Sequence, residues 1–158
     1  MTAATIQQAG ETLQNWSWQH RPQPGNEQSR QRVLRRLSTI ITELYPSARL
    51  YVHGSIAQMV ATNSSDLDIC VVMDDDVVVA DAVTSVRKVI QKRTGLRVLA
   101  LKHCRVPIVK FSGNNQVPPF DIGFDFNSVR NSALIRAYVG QDRALMVPLI
   151  RKIGRAHV

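Results

Sequence analysis

The sequence has too few cysteines for a disulfide framework or a zinc ribbon. Its 158 residues include two, Cys70 and Cys104, and they lack the paired spacing that structural zinc requires. Both are expected to be buried, reduced thiols of an intracellular protein. Long hydrophobic runs are missing too, and no stretch approaches the roughly 20 residues of a membrane span. The N-terminal region has no arginine before Arg21 and no hydrophobic core of the secretory kind, so neither a transit nor a signal peptide is legible. These absences point to an intracellular, cytoplasmic protein without a membrane partner, with nucleus and mitochondrion left open.

Acidic residues are also scarce. There are 12 Asp+Glu against 20 Lys+Arg, giving a net charge of +8 and a pI near 10.2. Such an excess favours a polyanionic partner, nucleic acid or an anionic surface, over a neutral one. A merely soluble basic domain is the plainer alternative. The hydrophobic content of 44% is ordinary for a globular chain, and the length suits one domain with a two-layer core.

Residues 1–25 are polar and Gln-rich, with a weak helix expected around Trp16 and Trp18 and a linker at Arg21-Pro22-Gln23-Pro24-Gly25. Asn26 is a plausible N-cap for a helix through Tyr45, on which Val33, Leu34, Leu37, Ile40, Ile41 and Leu44 follow the helical period. Arg30, Arg32, Arg35 and Arg36 read as its solvated face, or as a nucleic-acid surface. Strands are expected at 48–53, 65–73, 97–101, 105–111 and 119–124, with helices from Gly54-Ser55 to about Met59, up to Arg93, over 128–139 and over 142–151. Strands and helices so interspersed predict an α/β (α+β) fold, a mixed sheet with helices packed on it.

Asp66 and Asp68 lie two apart on a predicted strand, so both side chains leave the same face while Leu67 and Ile69 turn to the core. At about 7 Å between Cα atoms the two charges repel unless a counter-ion intervenes, and hard divalent cations suit carboxylate oxygens. The segment 120–126 repeats the alternation: Phe120, Ile122, Phe124 and Phe126 on one face, Asp121, Gly123 and Asp125 on the other. If the two strands are neighbours, Asp121 brings a third carboxylate to the same metals. Gly54-Ser55, after one strand and at the start of a helix, is placed to grip an anion. An exposed strand edge is the commoner explanation of an isolated D-x-D, since short motifs match by chance.

Taken together, Gly54-Ser55 and Ser65-Asp66-Leu67-Asp68-Ile69-Cys70-Val71 resemble the G-S…S-D-[LM]-D-[LI]-C-V signature of the DNA polymerase β nucleotidyltransferase superfamily. The resemblance is to its branch of noncanonical poly(A) polymerases and terminal uridylyltransferases. Val106-Pro107-Ile108-Val109-Lys110-Phe111 resembles that branch's V-P-I-[IV]-K strand, Asp121-Ile122-Gly123-Phe124 its third-carboxylate strand, and Asn131-Ser132 the N-[ST] that follows. These motifs run in the family's order over roughly residues 50–150, although the spacing to Asn131 is one residue short. The resemblance implies a polymerase β-like palm and two Mg²⁺ (or Mn²⁺) ions on Asp66, Asp68 and Asp121. It also implies nucleotide contacts from Gly54, Ser55, Asn131 and Ser132, with Asn131 toward the ribose 2′-hydroxyl. The implied reaction is template-independent addition of UMP or AMP, from UTP or ATP, to an RNA 3′ end. A non-catalytic RNA-binding protein that kept the fold is the alternative. Asp125 could assist the metals, but a solvated strand-end acid is the simpler reading.

Between Arg87 and Lys110 the chain carries eight basic residues and no acid, a patch suited to phosphate contacts or to a plain solvated face. His53 and His103 read as structural histidines, and the tryptophans as anchors for the N-terminal segment. Residues 153–158 break the amphipathic pattern and match the translation of a common sequencing adapter, so they are expected to be an assembly artefact. The expected division is therefore 1–25 as a polar segment, 26–152 as the catalytic palm with the start of a central helical domain, and 153–158 as foreign. In the resembling family that helical domain completes the nucleotide cleft, so little activity is expected of the chain alone.

Overall fold

A computed structural model describes residues 2–74, 76–102 and 104–155, without the side chains of Ala3 and Arg155. Asp75, His103 and the last three residues of the adapter-like tail therefore lie outside the described residues. Five strands, β1 (Arg49–His53), β2 (Leu67–Val72), β3 (Leu99–Leu101), β4 (Ile108–Phe111) and β5 (Phe120–Gly123), form one sheet in the order β1-β2-β5-β4-β3. The pair β2–β5 is parallel, while β1–β2, β4–β5 and β3–β4 are antiparallel. This is the mixed sheet that the interspersed pattern predicts.

Around it stand α1 (Ala3–Gln19), α2 (Pro24–Leu44), α3 (Gly54–Ala57), α4 (Val79–Thr94), α5 (Asn127–Gln141) and α6 (Arg143–Arg155). The core lies between one face of the sheet and the apolar stripes of α2 and α4. Leu67, Ile69 and Val71 of β2 meet Phe120 and Ile122 of β5, Leu37 and Ile41 of α2, and Val83, Val86 and Ile90 of α4. Each such side chain contributes about 1.5–3 kcal/mol when fully buried, so the alternation along β2 and β5 fixes which face is inside. The opposite face receives Asp68 and Asp121. α3 and α5 cover its β1 end.

Several local expectations change. The helix expected to be capped by Asn26 begins at Pro24 with Gln23 as its cap residue, because proline's fixed φ suits a first helical turn. Asn26 instead donates its side-chain amide to Asn63 Oδ1 at 3.1 Å. The N-terminal segment is a helix of 17 residues, and it packs on α6. Trp16 stacks on His20 with 4.1 Å between centroids and Lys152 Nζ lies 4.7 Å from the Trp16 ring, while the hydroxyl and carbonyl of the buried Ser17 accept from Arg151. The anchoring role read for the tryptophans fits Trp16; Trp18 is largely exposed beneath the Arg21 guanidinium. Cys70 is buried as expected, but Cys104 is exposed, since it lies in the turn before β4 rather than on a strand. Finally, α6 runs on through Arg155, past the point where the apolar pattern was read to break.

Candidate active site

Sheet register assembles a row of polar residues across four strands. His53 of β1 is opposite Asp68 of β2, Asp68 is opposite Asp121 of β5, and Asp121 is opposite Lys110 of β4. Directly opposed residues share a face, so the four side chains emerge together on the side away from the core. Asp66, two residues before Asp68, joins them from the loop that enters β2. Thus the two strands carrying D-x-D and Asp121 are neighbours, and parallel.

Close approach of like charges has an electrostatic cost here. Burial pushes the Asp68 carboxyl up to about 6, and the neighbouring charges of Asp121 and Asp66 add to that rise while Lys110 opposes it. Asp66 is raised as well, again mainly by burial. Lys110 Nζ donates to both oxygens of Asp121, at 3.1 and 3.0 Å, and that bond lifts the lysine above its ordinary value. His53 is shifted down by burial, against the pull of Asp121 and Asp125. The histidine read as structural therefore borders the carboxylates. Asp125 Oδ1 accepts the N–H of Asn127 at the start of α5, at 3.0 Å.

Gly54 is tied to this geometry twice. Its φ is +65°, in the region where side chains are strained, and a Cβ there would collide with the Asp68 carboxyl, 2.8 Å from Cγ. The glycine thus lets the chain pass against the carboxylate. Its N–H donates to Ser132 Oγ at 2.9 Å. Ser132 is buried and joins α5 to the glycine turn, whereas Asn131 beside it is exposed. Ser55 and Asp66 line a cavity of about 830 Å³ together with Ser64, Ser65, Ile150 and Arg151.

Arg30 was read as part of a solvated face, and that reading is overturned. It is 5% exposed, and its Nη2 donates to the carbonyls of Thr62, Asn63 and Ser65 at 3.0, 3.0 and 2.7 Å. A helical wheel gives the signal in retrospect: Arg30 shares the stripe of Leu34, Leu37 and Ile41 at helical spacing.

The chemistry of the donors suits a divalent cation. Among the described residues no three His, Cys, Asp or Glu side chains converge into a ready metal cage. Magnesium at phosphoryl-transfer sites is, however, commonly held by one or two carboxylates, with substrate phosphates and waters completing the shell. Asp68 and Asp121, on adjacent strands about 4.8 Å apart, with Asp66 at their edge, are the carboxylates here that could hold such an ion.

A mixed sheet of this order, with paired acids at its centre and a glycine-serine turn beside them, is the palm of the polymerase β-like nucleotidyltransferases. The Cid1 poly(U) polymerase, in a crystal structure with MgGTP, superposes with a TM-score of 0.82 at 21% identity, over 93% of this chain and 47% of that one. Residues 10–140 match the family described as poly(A) RNA polymerase, mitochondrial-like, central palm domain, and the chain belongs to that family.

Among curated relatives, poly(A) RNA polymerase GLD2 of Danio rerio is 31% identical over 129 residues, 77% of this chain and 26% of that protein. Terminal uridylyltransferase 4 of Trypanosoma brucei brucei is 35% identical over 115 residues, 61% of this chain and 34% of that protein. The chain therefore spans about a quarter to a third of the length of these relatives. Among the described residues no helix is long and apolar enough to cross a membrane.

Proposed function

We propose that this chain is the catalytic palm of an RNA 3′-terminal nucleotidyltransferase, which adds UMP or AMP from UTP or ATP to an RNA 3′-hydroxyl. The observation that carries this reading is the in-register pairing of Asp68 with Asp121, with Asp66 on the same side. Relatives named as poly(A) RNA polymerases and as terminal uridylyltransferases support the reaction class and leave both nucleotides in play.

Two divalent ions, Mg²⁺ or Mn²⁺, on Asp66, Asp68 and Asp121 would supply charge neutralisation at the attacking and leaving oxygens. The residues themselves position the reactants. Gly54 has its N–H committed to Ser132, so direct contact with the triphosphate at this turn falls to Ser55. Asn131, exposed on α5 next to the residue that touches Gly54, would meet the ribose 2′-hydroxyl. Asp121 would accept the hydrogen bond of the RNA 3′-hydroxyl and orient it. The bond from O3′ to the α-phosphorus would form as the hydroxyl proton passes to Asp121 and the bond from that phosphorus to the bridging oxygen breaks in line, pyrophosphate departing with the electron pair. Most of the acceleration would come from alignment and fixed charge.

The test is extension of an RNA primer by the full-length protein, with each ribonucleoside triphosphate in turn. Asp66→Ala and Asp121→Ala should each lower extension by a factor of at least about 10². Extension retained in both variants would overturn the proposal. RNA binding without nucleotide turnover by the unmutated protein would favour a scaffold that kept the fold.

A further inference from the structure

We infer that Arg30 is a positioning residue for Asp66: it clamps the backbone entering β2 and thereby sets where the carboxylate stands for a divalent cation. The inference rests on the proposed function for the role of Asp66, while the clamp itself rests on geometry.

Three carbonyls within four consecutive residues, those of Thr62, Asn63 and Ser65, accept from a single nitrogen of Arg30. The shortest of these bonds, 2.7 Å, goes to Ser65 O. That oxygen belongs to the peptide plane that also contains the nitrogen and Cα of Asp66, and the plane is rigid. On the other side of Asp66, Leu67 N donates to Pro119 O at 3.0 Å, which ties the chain to the entry of β5. Asp66 is thus held from both flanks, by α2 on one side and by the strand that carries Asp121 on the other. Thr62 N donates to Ser65 Oγ at 2.9 Å and closes the same turn from within.

The choice of arginine is not explained by packing. Arg30 occupies the apolar stripe of α2, and its Nε is buried and has no hydrogen-bond partner among the described residues. Burial disfavours its charge, against the pull of Glu27 and Asp66. A hydrophobic side chain at this position would carry no such desolvation cost. What a hydrophobic residue lacks is a charged donor for three carbonyls, and charge-assisted bonds are the stronger kind. Arg36, on the same helix, makes one bond to the carbonyl of Arg93 at an exposed site and serves as the control.

The experiment compares Arg30→Met, Arg30→Lys and Arg36→Met with the unmutated full chain, using Mn²⁺ as the probe. Three quantities are read: direct Mn²⁺ binding by electron paramagnetic resonance, the Mn²⁺ dependence of primer extension, and amide exchange over residues 62–67 without metal. Arg30→Met is expected to weaken Mn²⁺ binding about tenfold or more, the range seen when outer partners of metal ligands are removed. Exchange over 62–67 should quicken, and the rate at saturating Mn²⁺ should stay within several-fold. Arg30→Lys should fall between, and Arg36→Met should match the unmutated chain. Wild-type Mn²⁺ binding in both Arg30 variants overturns the inference, whatever happens to their melting temperature. If Arg30→Met does not fold, Arg30→Lys decides by the same criterion. Mn²⁺ binding that depends on Arg30 in a protein that extends no RNA would sink the proposed function and leave the clamp standing.

Discussion

Lys110 Nζ stands 3.0 and 3.1 Å from the two oxygens of Asp121, at the directly opposed position of the neighbouring strand. Three acids crowd the same face, and this lysine offsets their repulsion. Lys110→Met is expected to lower the stability of the metal-free chain by about 1 kcal/mol, the scale of a partly exposed pair. Added Mn²⁺ should then raise the melting temperature more in the variant than in the unmutated protein, because the cation takes over a larger unrelieved charge. Equal shifts in both would show that Lys110 does not act as the counter-ion.

Gly54→Ala tests the turn. Alanine at a φ of +65° is strained, and its Cβ would displace the Asp68 carboxyl. A loss of roughly 2–4 kcal/mol is expected from strain and overlap together, measured by urea unfolding. Nucleotidyl transfer should fall further than stability alone explains, since the displaced group is a proposed metal ligand. A variant with unchanged unfolding would remove the argument for glycine here.

The pH dependence follows from Asp68. Its folded value of about 6 lies above the ordinary 3.8, so the folded state binds the proton more tightly than the unfolded one. The stability this contributes is fully present below about 3.8 and is lost as pH rises through about 6. Between pH 4 and pH 7 without metal, the chain should lose on the order of 1–2 kcal/mol at this site, the full shift being discounted for solvent screening. Asp68→Asn should flatten that part of the profile, and divalent cation should bind more tightly above pH 6 than at pH 5. A profile unchanged by the asparagine would place the loss elsewhere.

The cysteines give a check on the fold that needs no activity. Cys104 is exposed and Cys70 buried, with the Cys70 thiol pushed up to about 11 by burial and by Asp125. One thiol should react with Ellman's reagent in the native protein and two in denaturant, and Cys104→Ser should abolish the native reaction. Rapid native labelling of Cys70 would contradict the placement of β2 as an interior strand between β1 and β5.

Much of this was legible in the sequence, for reasons that differ by residue. Asp66 and Asp68 are visible because strand alternation and a dense local motif coincide within a few residues. Asp121 needed the resemblance, since no local pattern tells that β5 lies beside β2 rather than at an edge. Arg30 was missed because an arginine among four on one helix reads as surface, and the carbonyls it serves are 32 to 35 residues away. Lys110 was counted with a basic patch, although its strand position opposite Asp121 gives it a different task. Cys104 was misplaced because its sequence neighbours Lys102, His103 and Arg105 are basic and polar, unlike the apolar ones of Cys70.

The parallel pairing of β2 with β5 also has a consequence for the order of events during synthesis. In chain order α4, β3 and β4 come between the two strands, so one half of the carboxylate cluster leaves the ribosome well before the other. Contacts this distant in sequence form late and slowly. A nascent chain that has emerged only as far as β4 carries Asp68 on a strand with an open edge, Asp66 in the loop just before it, and Lys110 without Asp121 to pair with. The insertion of β5 between β2 and β4 closes the sheet and brings in the third acid together with the partner of Lys110. Completion of the sheet and completion of the charge cluster are one step, and a half-made domain has only part of its carboxylate site.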